Sequence, residues 1–204
     1  MTLCFLKRSA DDIIKKEMKS CLIFLLSLPL ILGQLVLGPC PKLQEFVQDL
    51  DYNKYSGKWY VVAQSRRHPM RALECQTVNY TQNSNGLDVE YNTAKKYLHM
   101  KNFDGGLLKR ESGKSSGELS LFLPHFPQRL QFRVLKANYS EFAVEYVCLP
   151  GVFNYTSSVT LLHRKPQATL QNLELALQPL NIQKHVNPHI GNPLIPVNHT
   201  NCNQ

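Results

Sequence analysis

Between Trp59 and His163 the chain is a succession of short β-rich runs, each closed by a turn signal, and this pattern limits the fold more than any other feature. Trp59–Ser65 is the first run and Cys75–Thr81 the second. Asn85-Gly86, a pair that readily takes the left-handed backbone of a two-residue hairpin, joins the second to Leu87–Tyr91. Further turns are expected at Asp104-Gly105-Gly106 and in the serine-rich stretch between Gly113 and Gly117. Glu118–Leu123 reads as a strand stopped by Pro124. Leu130–Val134 alternates apolar and polar residues at the period of two that an extended chain imposes. Phe142, Val144 and Tyr146 repeat that alternation up to Cys148, Leu149-Pro150-Gly151 turns the chain, and Ser157–His163 is the last long run.

These are about eight strands in sequence order, mostly with short connections. An antiparallel meander of this length removes its exposed edges by closing on itself. The expected fold is all-β, an eight-stranded antiparallel up-and-down β-barrel of a size that holds one small ligand. An open sandwich has the same strand count. After the strands, Leu170, Leu173 and Leu177 share one helical face, so one C-terminal α-helix is expected over about 169–179, packed on the outside of the barrel. Pro188, Pro193 and Pro196 exclude regular structure beyond it.

Residues 21–33 are apolar and uncharged and follow Lys15, Lys16 and Lys19. A basic segment before a short apolar one is the pattern of a secretory signal peptide. Pro29 and Gly33 break the apolar run, which is short of the roughly 20 residues a membrane-spanning helix needs. The expected organisation is a signal peptide over 1–38, cleaved after Gly33 or Gly38 and starting at Met1 or Met18, followed by a single domain over 39–204. The location is then extracellular. Removing 1–38 takes away five Lys/Arg and three acids, so the net charge falls from +8 to +6. With no clustered basic stripe, nucleic acid is not an expected partner. An anionic membrane surface or an acidic ligand head group remains compatible with this charge.

Cys4 and Cys21 leave with the signal, and Cys40, Cys75, Cys148 and Cys202 remain. An even number in an oxidising compartment points to two disulfides, for which three pairings are open. No Cys-x-x-Cys spacing is present, and neither a metal nor a cofactor is expected. Asn79, Asn138, Asn154 and Asn198 each head an Asn-x-Ser/Thr triplet and are candidate glycosylation sites.

Three distant places in the chain resemble the lipocalin family. Gly57-Lys58-Trp59-Tyr60 resembles the Gly-x-Trp signature that opens the family's first strand. Asn138-Tyr139 lies in the turn between strands six and seven, where the family carries a Thr-Asp-Tyr-like motif; Ala137 and Asn138 replace the threonine and aspartate. Arg164 follows the eighth strand, where the family places an arginine. In an up-and-down barrel these places fall at one end, where an arginine over the face of Trp59 contributes about 1 kcal/mol. The resemblance implies that this is the plugged end and that ligand enters at the other.

Within the family, Cys40-Pro41, the stretch Asp51–Tyr60, and Cys75 with Asn79-Tyr80-Thr81 resemble the apolipoprotein D and Lazarillo-type lipocalins over nearly the whole mature chain. That resemblance implies the pairing Cys40–Cys148 and Cys75–Cys202.

Alternation assigns the inward faces. With Trp59 inward, Val61, Ala63 and Ser65 follow; with Asn79 outward for a glycan, Val78 and Tyr80 point in. Leu130, Phe132 and Val134 on strand six, Phe142, Val144 and Tyr146 on strand seven, and Thr160 and Leu162 on strand eight complete the expected lining. From these, Tyr80, Phe132, Val134, Phe142, Tyr146, Thr160 and Leu162 are candidate ligand contacts. On strand three the resemblance implies that Asn92 contacts ligand, whereas alternation turns Leu87, Val89 and Tyr91 inward and gives Asn92 the opposite parity. At the other end, loops carrying Arg66, Arg67, His68, Met70, Arg71 and Leu73, then Phe103, His125, Phe126, Leu149, Val152 and Phe153, have the composition of a lipid-membrane or lipoprotein docking surface.

The resemblance implies a secreted carrier of a small hydrophobic ligand such as a lipid, fatty acid, steroid, retinoid or bilin. The alternative is a protein-interaction or lipid-surface lipocalin without dedicated cargo. Enzymatic lipocalins are known, one using a free barrel thiolate. Here every mature cysteine has an expected partner, no Ser-His-Asp arrangement is recognisable, and Pro188 separates His185 from His189, so catalysis is not expected.

Overall fold

The β-rich runs become strands in the computed structural model, which describes residues 36–66, 68, 74–93, 105–124, 127–169, 194–200 and 202. The chain divides into two units, residues 1–36 and 37–204. Of the first, only Val36 is described, at the start of the two-residue strand Val36–Leu37. The signal peptide expected over 1–38 and the helix expected over 169–179 fall almost wholly outside the described residues.

In the second unit a short helix, α1 (Tyr52–Tyr55), precedes eight strands: β1 (Gly57–Ser65), β2 (Thr77–Asn83), β3 (Gly86–Asn92), β4 (Gly106–Arg110), β5 (Glu118–Phe122), β6 (Leu130–Asn138), β7 (Phe142–Pro150) and β8 (Asn154–His163). Each pairs antiparallel with the next, and β8 returns to pair with β1, closing the barrel. The expectation that the prolines exclude regular structure after the helix is corrected: a short tail strand, β9 (Leu194–Pro196), runs antiparallel along the upper part of β1, with Leu194 opposite Ser65 and Pro196 opposite Ala63, at a sheet edge where proline is tolerated. It covers the stretch of β1 beyond Tyr60, where the pairing with β2 ends.

Local chemistry explains the corners. Asp51 caps α1, its carboxylate accepting the Lys54 N–H at 3.1 Å. Gly86 in the β2–β3 hairpin has φ +148°, and a Cβ there would lie 2.0 Å from the Leu108 carbonyl oxygen, so only glycine fits. Cys75 takes a left-handed φ of 53°, which ends the extended run before β2 and delays its start to Thr77.

Two apolar clusters form on opposite faces of the sheet. The first lines the barrel interior and includes Trp59, Val61, Tyr80, Leu119, Leu121, Phe132 and Leu162. The second joins Phe142, Val144, Tyr146 and Cys148 of β7 to Cys40, Leu135, Val159 and Leu161, with Leu43, Phe46, Ala168 and Leu194 packed on it. The expected inward face of strand seven is therefore corrected. Phe142, Val144 and Tyr146 face outward, and Ala143, Glu145 and Val147 face in. The outer wall of β7 is covered by the chain's own terminal segments, so its apolar period marks that cover rather than the lumen. Both faces of β7 then contribute, at roughly 1.5–3 kcal/mol per large apolar side chain buried.

A bulge corrects strand one in the same way. The register with β8 shifts between Val61 and Ala63. Trp59 and Val61 stay inside, Ala63 joins the outer cluster, and Gln64, opposite Thr160, turns in.

Candidate functional site

One end of the barrel is sealed around Arg164. Its guanidinium lies 3.6 Å from the Trp59 ring centroid. Nε donates to the Tyr139 carbonyl at 3.0 Å, Nη1 to the Lys58 carbonyl at 3.0 Å, and Nη2 to the carbonyls of Lys54, Tyr55 and Ser56 at 2.9, 3.3 and 3.0 Å. The fork ties α1, the start of β1 and the β6–β7 turn to the end of β8. Gly57, with φ +95°, makes room for it: a Cβ there would stand 3.3 Å from Nη1. The Tyr139 hydroxyl accepts the Asp51 N–H at 3.0 Å, and Trp59 Nε1 donates to the Tyr55 carbonyl at 2.8 Å. The structure thus brings Gly57, Trp59, Tyr139 and Arg164 together at one end.

Above this plug the interior carries a polar group. Glu145 is buried, and its Oε1 accepts the Tyr55 hydroxyl at 2.6 Å and also the Tyr80 hydroxyl. Burial pushes the Glu145 carboxyl up to about 7, against the two hydroxyls that stabilise its charged form. Burial and the neighbouring carboxylate hold the Tyr55 and Tyr80 phenols well above their ordinary range. Next to Glu145 on β8 is Thr160, and next to Thr160 on β1 is Gln64, so the three form a cross-strand row on the inward face. Gln64 is 0% and Thr160 2% exposed. Among the described residues, neither polar atom of the Gln64 amide, nor the Thr160 hydroxyl, has a hydrogen-bond partner.

The other candidate contacts divide. Tyr80, Phe132, Val134 and Leu162 belong to the interior cluster. Phe142 and Tyr146 belong to the outer one and do not line the barrel. Asn92 is exposed and lies in a groove of about 790 Å³ on the outer surface, with Thr77, Asn79 and His199. The register pairs Tyr91 with Val78 and Val89 with Tyr80, so alternation, not Asn92, describes the inward face of β3. Tyr91 and Leu149, half-buried against the interior cluster, lie toward the open end.

Gln64, Glu145 and Tyr55 were not among the sequence candidates. Glu145 did leave a signal, as the single charged residue in Phe142–Cys148. Gln64 left none, because the bulge that turns it inward follows from pairing.

The cysteines pair as Cys40–Cys148 and Cys75–Cys202. Asn138 and Asn198 are exposed, and Asn79 and Asn154 are half-buried. Val152 and Phe153 at the tip of the β7–β8 hairpin are 88% and 79% exposed. Residues 69–73, 94–104 and 125–126, with Arg67, lie outside the described residues, and with them Met70, Arg71, Leu73, Phe103, His125 and Phe126. Among the described residues no cluster of His, Cys, Asp and Glu is arranged to hold a metal ion.

Solved structures share the architecture. Insecticyanin from the tobacco hornworm Manduca sexta superposes with a TM-score of 0.59 at 16% identity, covering 82% of this chain and 90% of that one. Lobster apocrustacyanin A1 gives 0.55 at 16% identity, covering 81% and 91%. Apocrustacyanin C2 gives 0.56 at 18% identity, covering 82% and 92%. The fold is the lipocalin fold. No protein-family model and no curated protein sequence matches the chain. The lipocalin architecture explains why Arg164, Trp59 and Gly57, more than a hundred residues apart at the extremes, converge at the sealed end of the barrel.

Proposed function

We propose that this chain is a secreted member of the lipocalin family, of the apolipoprotein D and Lazarillo-type group, that carries a small hydrophobic ligand in its barrel and catalyses no reaction. The observation that carries the reading is a barrel plugged at one end by Arg164 and Trp59, with an apolar interior above the plug. A ligand then has one way in, through the end where Tyr91 and Leu149 lie. Tyr80, Phe132, Val134, Thr160 and Leu162 are its proposed inward contacts. The basic-then-apolar segment within 1–38 and two disulfides of long span support an oxidising, extracellular setting. Exposed Asn138 and Asn198 fit glycan attachment best among the four triplets.

The test is mass spectrometry of small molecules released from the natively secreted protein. A hydrophobic compound near one per barrel is expected. Its absence, with no quenching of Trp59 by retinoids, fatty acids, steroids or bilins, would favour a partner-binding lipocalin with a filled barrel.

A second reading, docking on a lipid membrane or lipoprotein surface, is supported by Val152 and Phe153, two apolar side chains held in solvent at a hairpin tip of the open end.

A further inference from the structure

Buried polar groups are almost always hydrogen-bonded, and each one that is not costs the full loss of its hydration. Among the described residues, the inward face of the barrel keeps three such atoms side by side: Gln64 Nε2, Gln64 Oε1 and Thr160 Oγ1. They come from directly opposed residues of β1 and β8, and the next residue along the row is Glu145. Glu145 differs from its two neighbours in having partners, since its Oε1 is engaged by Tyr55 and Tyr80. Glu145 ties one end of the row to the aromatic plug, where Tyr55 packs on Trp59 and Tyr80 with ring centroids 5.4 and 5.1 Å apart.

A primary amide offers two N–H donors and a carbonyl acceptor, and a hydroxyl both donates and accepts. Together Gln64 and Thr160 match a group that donates one hydrogen bond and accepts another. A neutral hydroxyl does this, and a carbonyl takes the donor half. A carboxylate does not, because its charge would stand beside the Glu145 carboxyl in a low-dielectric interior. We propose that Gln64 and Thr160 form the polar subsite of the barrel, taking the neutral hydroxyl or carbonyl of an otherwise apolar ligand, and that Glu145 turns carboxylates away. The inference rests on the carrier reading. It selects among that reading's ligands, placing alcohols and ketones of steroid or retinoid type ahead of fatty acids.

Three probes test it on the purified full chain at pH 8: retinol, retinoic acid and the retinoid hydrocarbon lacking the hydroxyl, followed by energy transfer from Trp59. The wild type is expected to bind retinol at least tenfold more tightly than either of the others. A Gln64→Leu, Thr160→Val double variant is expected to lose that preference and to bind the hydrocarbon at least as tightly as the wild type does, because no polar atom is then left unpaired. Gln64→Leu alone, which removes the buried amide, is expected to raise the thermal midpoint and so shows that the variant folds. If the variants keep the wild-type preference for retinol, or if the wild type binds all three probes equally, the subsite is wrong and the carrier reading stands. If the folded wild type binds none of the three, the carrier reading falls for retinoids and the subsite falls with it.

Discussion

The guanidinium of Arg164 lies 3.6 Å from the centre of the Trp59 ring, across more than a hundred residues of sequence. The same group donates to five backbone carbonyls in three segments. Lysine has neither the planar fork nor the reach to replace it. Arg164→Lys is expected to cost about 2–4 kcal/mol, since it loses the stacking and leaves several carbonyls without a donor. Urea unfolding followed by Trp59 fluorescence measures this, and a midpoint unchanged from wild type would remove Arg164 from its role as the closing group. Gly57→Ala, strained at its φ of +95° and pressing on Nη1, is expected to cost about 1–2 kcal/mol in the same assay.

Glu145 and His68 act in opposite directions across pH. Burial raises the Glu145 carboxyl to about 7 and lowers the His68 imidazole to about 4. The folded protein holds the Glu145 proton more tightly than the unfolded chain does. That contribution is fully present below the ordinary carboxyl value of 4.5 and is lost as pH rises through 7. The unfolded chain takes the His68 proton more readily. That contribution is present above 6.5 and is lost as pH falls through 4. Each amounts to about 3 kcal/mol at 1.36 kcal/mol per unit. Between about pH 4.5 and 6.5 the two offset one another. Denaturation midpoints should show Glu145→Gln losing stability on acidification through this window and His68→Gln gaining it. Parallel profiles in the two variants would rule out the opposition.

The bridge Cys75–Cys202 spans 127 residues and holds the tail in which β9 pairs with β1. Replacing both cysteines by serine is expected to cost about 5 kcal/mol on the chain-entropy model. Limited trypsin digestion should then release the tail that carries β9 faster than in the wild type. Equal cleavage rates would mean that β9 pairing alone retains the tail.

Phe153 tests the lipid-surface reading. If the β7–β8 tip docks on lipid, Phe153→Ser should reduce flotation with phosphatidylcholine–phosphatidylserine vesicles several-fold while leaving the denaturation midpoint unchanged, because the side chain is 79% exposed. Undiminished flotation would exclude that tip as the contact.

The strand order is legible in the sequence alone. Turn dipeptides such as Asn85-Gly86 and period-two runs such as Leu130–Val134 act over a few residues, so the sequence carries them locally. The sealed end was legible through resemblance, because Gly57, Trp59, Tyr139 and Arg164 each keep a recognisable neighbourhood.

Which face of β7, and of β1 beyond Val61, looks inward was decided only by tertiary structure. Alternation in Phe142–Tyr146 is real, but both faces of β7 are buried, one by the lumen and one by the chain's own ends. Periodicity reports that one face is apolar; it does not report what covers it. The bulge between Val61 and Ala63 then turned Gln64 inward against the parity set by Trp59. The sequence by itself determined the meander, the cysteine count and the closing residues. Pairing across the barrel decided the rest, bringing Gln64, Thr160 and Glu145 into one row, because opposed residues on neighbouring strands share a face wherever they sit in the chain.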